Sequence, residues 1–144
     1  MKNRRHIIMD NKQLLKIAED ARKYSHSPYS NFKVGAALLT KSGKVYTGCN
    51  VECASFGGTN CAERTAIFKA ISEGDNEIDK IAIASDNSEK NEPTYPCGIC
   101  RQVILEFGID IKIVTGYSKG DIYECTIKDL VPNYFAGSDF REIK

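Results

Sequence analysis

No apolar run in this chain approaches the ~20 residues that a membrane-spanning helix needs. The first residues, MKNRRHIIMDNKQLL, are basic but lack the long apolar stretch and small-residue cleavage site of a secretory signal. A cytoplasmic protein without a membrane partner is expected. An excess of one charge is missing too: 20 basic and 19 acidic residues leave a net +1. Binding to polynucleotide or to anionic lipid requires a concentrated basic face, so no nucleic-acid partner is expected. The chain has no internal repeat, low-complexity tract or long linker. Histidine is scarce, with only His6 and His26, both expected at the surface or a helix end.

What remains is an ordinary globular composition, 42% apolar and 27% charged, in 144 residues. A chain of this length buries roughly two-thirds of its unfolded surface, enough for a core without disulfide staples. Residues 9–144 are read as one domain and residues 1–8 as a loosely ordered extension.

The periodicity predicts a helix over 10–26, with Leu14, Leu15, Ile17, Ala18 and Ala21 on one face and Pro28 beyond its end. FKVGAALLT (32–40), the turn KSGK and VYTGCNVE (45–52) read as a hairpin. ASFGGTN delivers Asn60 as N-cap to a helix over 61–74, with Gly74 closing it. A strand over 79–86, a polar loop over 87–96, a helix over 97–108 and a strand over 111–116 follow. A weaker strand over 121–130 runs towards a short terminal helix. Strands alternating with helices imply an α/β fold, a partly parallel sheet with helices packed on it.

The six cysteines carry the chemistry. Cys97 and Cys100, in PCGIC, have the two-residue gap of thiolate metal ligands. Cys61 opens CAER at another predicted helix start. Helix N-termini stabilise thiolates through partial positive charge and unpaired N–H groups. Three thiolates favour zinc over harder cations and leave a fourth position open, as in catalytic sites. Glu63, on the same first turn as Cys61, is placed to exchange protons with a water at the metal. Three thiolates around a dication leave a net −1, which Arg64 would offset by donating to a ligand sulfur. Two other readings stay open. The CGIC pair alone is also compatible with redox-active or buried thiols, and Cys53 as fourth ligand would close a purely structural site. Cys49 and Cys125, in strand-like stretches, are expected to be packing residues.

CAERTAIFKAISEG, PCGICRQVILEF, NVE at 50–52 and PYSNFKVGAAL at 28–38 together resemble the small cytidine deaminase family, from about residue 14 to about 136. The wider superfamily to which that family belongs uses zinc to deaminate nucleobases. The resemblance implies a three-layer sandwich built on a mixed five-stranded sheet, with one zinc per subunit held by Cys61, Cys97 and Cys100. It implies that zinc-bound hydroxide attacks C4 of cytidine or deoxycytidine while Glu63 shuttles protons, giving uridine or deoxyuridine and ammonia in pyrimidine salvage. Asn50 and Glu52 match residues that hold the ribose hydroxyls, Phe32 an aromatic on the base, and Ala62 a backbone N–H for the ring carbonyl. It also implies a homotetramer with sites at subunit interfaces, in which Phe135 of LVPNYF reaches a neighbour's site. Cys53 stands where many members have Asn, and Phe56 where many have Tyr. Two alternatives accompany this reading. One is a related deaminase of an aminopyrimidine antibiotic nucleoside of the blasticidin type. The other is a noncatalytic zinc module, which Glu63 would distinguish.

Overall fold

The structure is a computed structural model that describes residues 9–140. The expectations for residues 1–8 and for His6 lie outside the described residues. Helix α1 (Asn11–Ala21) begins at a reciprocal cap: the Asp10 carboxylate accepts from the Gln13 N–H, and the Gln13 side chain accepts from the Asp10 N–H. The hairpin β1 (Val34–Thr40) and β2 (Val45–Cys49) follows, then α2 (Ala62–Ser72), β3 (Ile78–Ser85), α3 (Gly98–Phe107), β4 (Lys112–Gly116), β5 (Ile122–Thr126) and α4 (Ile127–Leu130). The five strands form one sheet in the order β2-β1-β3-β4-β5. Only β3 and β4 pair in parallel, joined by the crossover through α3. The other pairs are antiparallel, as a mixed sheet requires.

Alternation along the strands sorts side chains between two faces. Leu38, Ile81, Ile83 and Ile113 pack on one face with Ala66, Ile67 and Ala70 of α2 and Ile104 of α3. Ala37, Ala82, Ala84 and Val114 pack on the other with Leu14, Leu15 and Ala18 of α1. The result is helix, sheet and helix layers, the three-layer architecture expected. Fully burying a Leu or Ile is worth ~1.5–3 kcal/mol, so the bulky face supplies much of the core's stabilisation. Small residues on the opposite face let α1 approach closely. At Gly35, a Cβ would stand 2.0 Å from the Ala18 carbonyl oxygen. At Gly48, on the bulky face, a Cβ would stand 2.3 Å from the Ala62 carbonyl oxygen, so α2 starts in backbone contact with β2.

Three boundaries differ from the sequence reading. The first helix leaves α geometry after Ala21, passes through a 3-10 turn (Arg22–Tyr24) and ends before Pro28. The second helix starts one residue later than expected: Cys61, not Asn60, is the N-cap of α2. Asn60 is held in extended backbone by paired bonds with Val51, each 2.9 Å, and its side chain donates to Thr65 Oγ1 instead of capping. The last expected strand, over 121–130, divides into β5 and α4, because Thr126 and Asp129 form a capping box that starts a helix.

A polar tie closes the end of the hairpin. Asp75, after α2, accepts from the hydroxyls of Thr40, Ser42 and Tyr46 at 2.8, 2.9 and 3.2 Å. It anchors the β1–β2 turn to the start of the connection into β3.

Candidate metal centre and pocket

Cys61 and Cys97 are N-caps of α2 and α3, both with extended backbone. Their carbonyls accept the first helical bonds, from Thr65 N at 3.1 Å and Arg101 N at 2.9 Å. Neither side chain makes a capping bond, so both sulfurs are free for other partners. Cys100 lies one turn into α3 and is fully buried. The three Sγ atoms lie within 4.8 Å of one another, and Cys61 and Cys97 are 3.7 Å apart. A tetrahedral ion with Zn–S bonds of about 2.3 Å sets its sulfurs about 3.8 Å apart. The donor set and its spacing therefore fit zinc. Cys53 is not among these ligands; its thiol donates to the Ser55 carbonyl at 2.7 Å. This removes the closed four-cysteine alternative.

Electrostatics around the sulfurs are sharply graded. The Cys61 thiol is pushed down, first by its hydrogen bond with Cys100 and then, against the effect of burial, by donation from Arg64. Cys100 is pushed up by the same bond and by burial. Arg64 Nη2 donates to Cys61 Sγ at 3.3 Å and lies 3.5 Å from the Thr59 carbonyl oxygen. Its Nε is buried with no hydrogen-bond partner among the described residues. Burial works against the Arg64 charge, but the bonds to Cys61 and Cys100 outweigh it and raise the guanidinium's pKa. The cation is thus committed to the sulfurs, as charge balance requires.

Glu63 is only 4% exposed, unusual for a carboxylate with no salt bridge among the described residues. Burial pushes its carboxyl up to about 7, and the charge of Cys61 adds to the shift. A carboxyl poised there both takes and returns protons near neutrality.

A cavity of ≈ 270 Å³ opens over this cluster. Cys61, Ala62, Glu63 and Cys97 form its floor; Phe32, Val34 and Ile83 give an apolar wall; Asn50, Glu52 and Ser30 form a polar end. Asn50 is 8% exposed. Its Oδ1 accepts from Val34 N at 2.9 Å and from Ser25 Oγ, while its Nδ2 donates to the Phe32 carbonyl at 2.8 Å. The amide oxygen is saturated, so Asn50 has one N–H left and can only donate. Glu52 Oε1 accepts the N–H groups of Tyr29 and Ser30, each at 3.0 Å, and Oε2 accepts the Ser30 hydroxyl. The Ser30 bonds hold the Glu52 carboxyl below its usual range. Asn50 thus offers the cavity a donor and Glu52 an acceptor.

Thr94 and Tyr95, inside the loop read only as polar, also line the cavity. Thr94 N donates to Thr115 Oγ1 and Thr115 Oγ1 to the Thr94 carbonyl, both at 2.9 Å, fixing the approach to Cys97. Their position next to PCGIC was the available signal. Phe135 is outside this cavity, 57% exposed on the flank of α3, with its carbonyl held by Gln102 Nε2 at 2.8 Å. His26 is exposed and Cys125 packs against the core, as expected.

Residues 9–116 match the family model of the cytidine and deoxycytidylate deaminase zinc-binding region. A cytidine deaminase of Halalkalibacterium halodurans is 47% identical over 93% of this chain and all of its own length. The crystal structure of a cytidine deaminase from Burkholderia pseudomallei superposes with a TM-score of 0.82 at 45% identity, covering 88% of this chain and all of that one. A blasticidin-S deaminase of Bacillus cereus is 32% identical over 69% of this chain and 74% of its own length.

Proposed function

The chain belongs to the cytidine and deoxycytidylate deaminase family, and from that membership we propose how its own residues deaminate cytidine and deoxycytidine. The reaction is zinc-dependent hydrolysis that yields uridine or deoxyuridine and ammonia. The observation that carries the assignment is a buried Glu63 beside three convergent thiols, two of which, Cys61 and Cys97, line the same cavity as Glu63.

Cys61, Cys97 and Cys100 would hold the zinc, which when bound would supply a water acidified for attack on C4. Glu63 takes a proton from that water and places it on N3. It then passes the second proton from the new C4 hydroxyl to the amino group, which leaves as ammonia. The ring keeps the N3 proton and a C4 carbonyl, so the atoms balance. The N–H of Ala62 bonds the C2 carbonyl, and Phe32 packs on the base. Asn50 donates to the sugar and Glu52 accepts from it. Arg64 and the two helix N-termini offset the net −1 of a loaded three-thiolate site.

The Glu52 carboxylate, held below its usual range at the polar end of the cavity, favours a neutral nucleoside over a phosphorylated one, since a 5′-phosphate near it would meet like charge. We place the enzyme in pyrimidine salvage in the cytoplasm, as a single catalytic domain over 9–144. No described helix is long and apolar enough to cross a membrane. Assembly as a homotetramer is supported by exposed apolar side chains beside the cavity, Tyr29 and Phe56, and by Phe135 on the α3 flank. Turnover of cytidine, deoxycytidine, cytidine 5′-monophosphate and blasticidin S by the zinc-loaded protein tests the assignment. The two nucleosides should turn over at least ~100-fold more efficiently than the others, a gap of about 2.7 kcal/mol. Preferred turnover of blasticidin S or of the nucleotide would overturn it.

A further inference from the structure

Ser30 has a part in the site that its own chemistry does not announce. Its hydroxyl donates to Glu52 Oε2 and accepts the Phe32 N–H at 3.1 Å. Its backbone N–H donates to the other oxygen of the same carboxylate, at 3.0 Å. Asn31, between Ser30 and Phe32, adopts a left-handed backbone at φ 53°. That conformation is tolerated by Asn, and here it turns the Phe32 N–H back onto the preceding hydroxyl. The turn is closed from outside by Asn31 N donating to the Ser27 carbonyl at 3.0 Å.

The two carboxylate oxygens of Glu52 are not equivalent. Oε1 carries two backbone N–H bonds and is full, whereas Oε2 carries only the Ser30 hydroxyl and keeps a lone pair for a ligand. Without that hydroxyl, Oε2 is free to swing about the anchored Oε1. The Phe32 N–H would lose its partner at the same time, and the ring it carries lines the apolar wall of the cavity. A single side chain therefore fixes two parts of the pocket that are separated by 20 positions in sequence.

We propose that Ser30 is a positioning residue for the nucleoside, setting the ribose acceptor Glu52 and the base-facing Phe32 together. The proposal rests on the roles given above to Glu52 and Phe32. It makes Ser30 a determinant of how strongly the enzyme prefers a substrate with sugar hydroxyls.

The test compares kcat/KM for cytidine and 2′,3′-dideoxycytidine in wild type, Ser30→Ala, Ser30→Thr and Glu52→Gln, each checked for zinc content and melting temperature. Ser30→Ala should raise KM for cytidine about tenfold while kcat changes less than about threefold, in line with loss of one hydrogen bond to a charged group. Its preference for cytidine over the dideoxy compound should shrink by about the same tenfold factor. Ser30→Thr keeps the hydroxyl and should recover most of that preference. A wild-type preference in Ser30→Ala, with the preference lost in Glu52→Gln, would overturn the role of Ser30 alone. A wild-type preference in Glu52→Gln would overturn the sugar-binding role of Glu52, and the proposal with it.

Discussion

Arg64 faces two sulfurs with a guanidinium whose charge burial alone would oppose. If its task is to balance excess thiolate charge, Arg64→Ala should weaken zinc retention about 10–100-fold, the usual cost of losing a residue that supports metal ligands. Competition against a chelator measures this, and the acid limb of the activity profile should move upward because the site's charge becomes more negative. Unchanged retention together with an unchanged profile would contradict the role. At this scale, the grouping of Cys61, Glu63, Cys97 and Cys100 was legible because their spacing is local. Cys61 and Glu63 share one turn, Cys97 and Cys100 another, and a helix start gives both turns a reason to hold thiolates. Ser30 was not legible, and Thr94 and Tyr95 only through their place next to PCGIC. Their roles arise where chain segments distant in sequence meet, and a serine or threonine in a polar loop gives no sign of that meeting. That Asn50 and Glu52 line the cavity was expected only by resemblance. The structure sharpens them by showing which atoms are already spent.

The elements place these residues through close packing. Gly48 lets α2 begin against β2, which sets the height of Cys61 and Glu63 over the sheet edge. The hairpin and the parallel crossover were readable from the turn KSGK and from the strand–helix–strand order. The antiparallel neighbourhood of β1 and β3 was not, because it depends on sorting large side chains to one face and small ones to the other. The misplaced cap has a similar origin. Asn is a better N-cap than Cys, but backbone pairing with Val51 holds Asn60 extended and overrides that preference. At the other end of α2, Asp75 makes stability depend on pH. Burial would raise its carboxyl, but the hydroxyls of Thr40, Ser42 and Tyr46, with Lys44 nearby, hold it below the usual range. A carboxyl lowered on folding stabilises above its unfolded pKa of ~3.9, and that stabilisation is lost as pH falls through its folded value. Asp75→Asn should therefore lower the melting temperature at neutral pH and flatten its fall below about pH 4. An acid limb as steep as that of wild type would place the sensitivity elsewhere.

At the scale of the whole molecule, Phe135 is the informative residue, since it is 57% exposed and lies outside the cavity of its own chain. If it completes a neighbour's pocket, two impaired variants should rescue each other. Mixed assemblies of Glu63→Gln and Phe135→Ala chains would contain sites with an intact Glu63 from one chain and Phe135 from the other. Reassembly of the mixture should recover several times the activity of either variant alone. Activity equal to the average of the two parents would show that Phe135 serves only its own chain or none.

All these scales meet in the claim that zinc at the three thiols and the Glu63 carboxyl form one catalytic unit. The direct measurement is ammonia release and the accompanying fall in ultraviolet absorbance with cytidine, made on zinc-quantified wild type and Glu63→Ala. Wild type should convert cytidine to uridine and ammonia in equal amounts. Glu63→Ala should keep one zinc per chain and the native melting profile, while kcat falls at least ~100–10,000-fold. No ammonia from zinc-loaded wild type, or wild-type turnover by Glu63→Ala, would contradict the account.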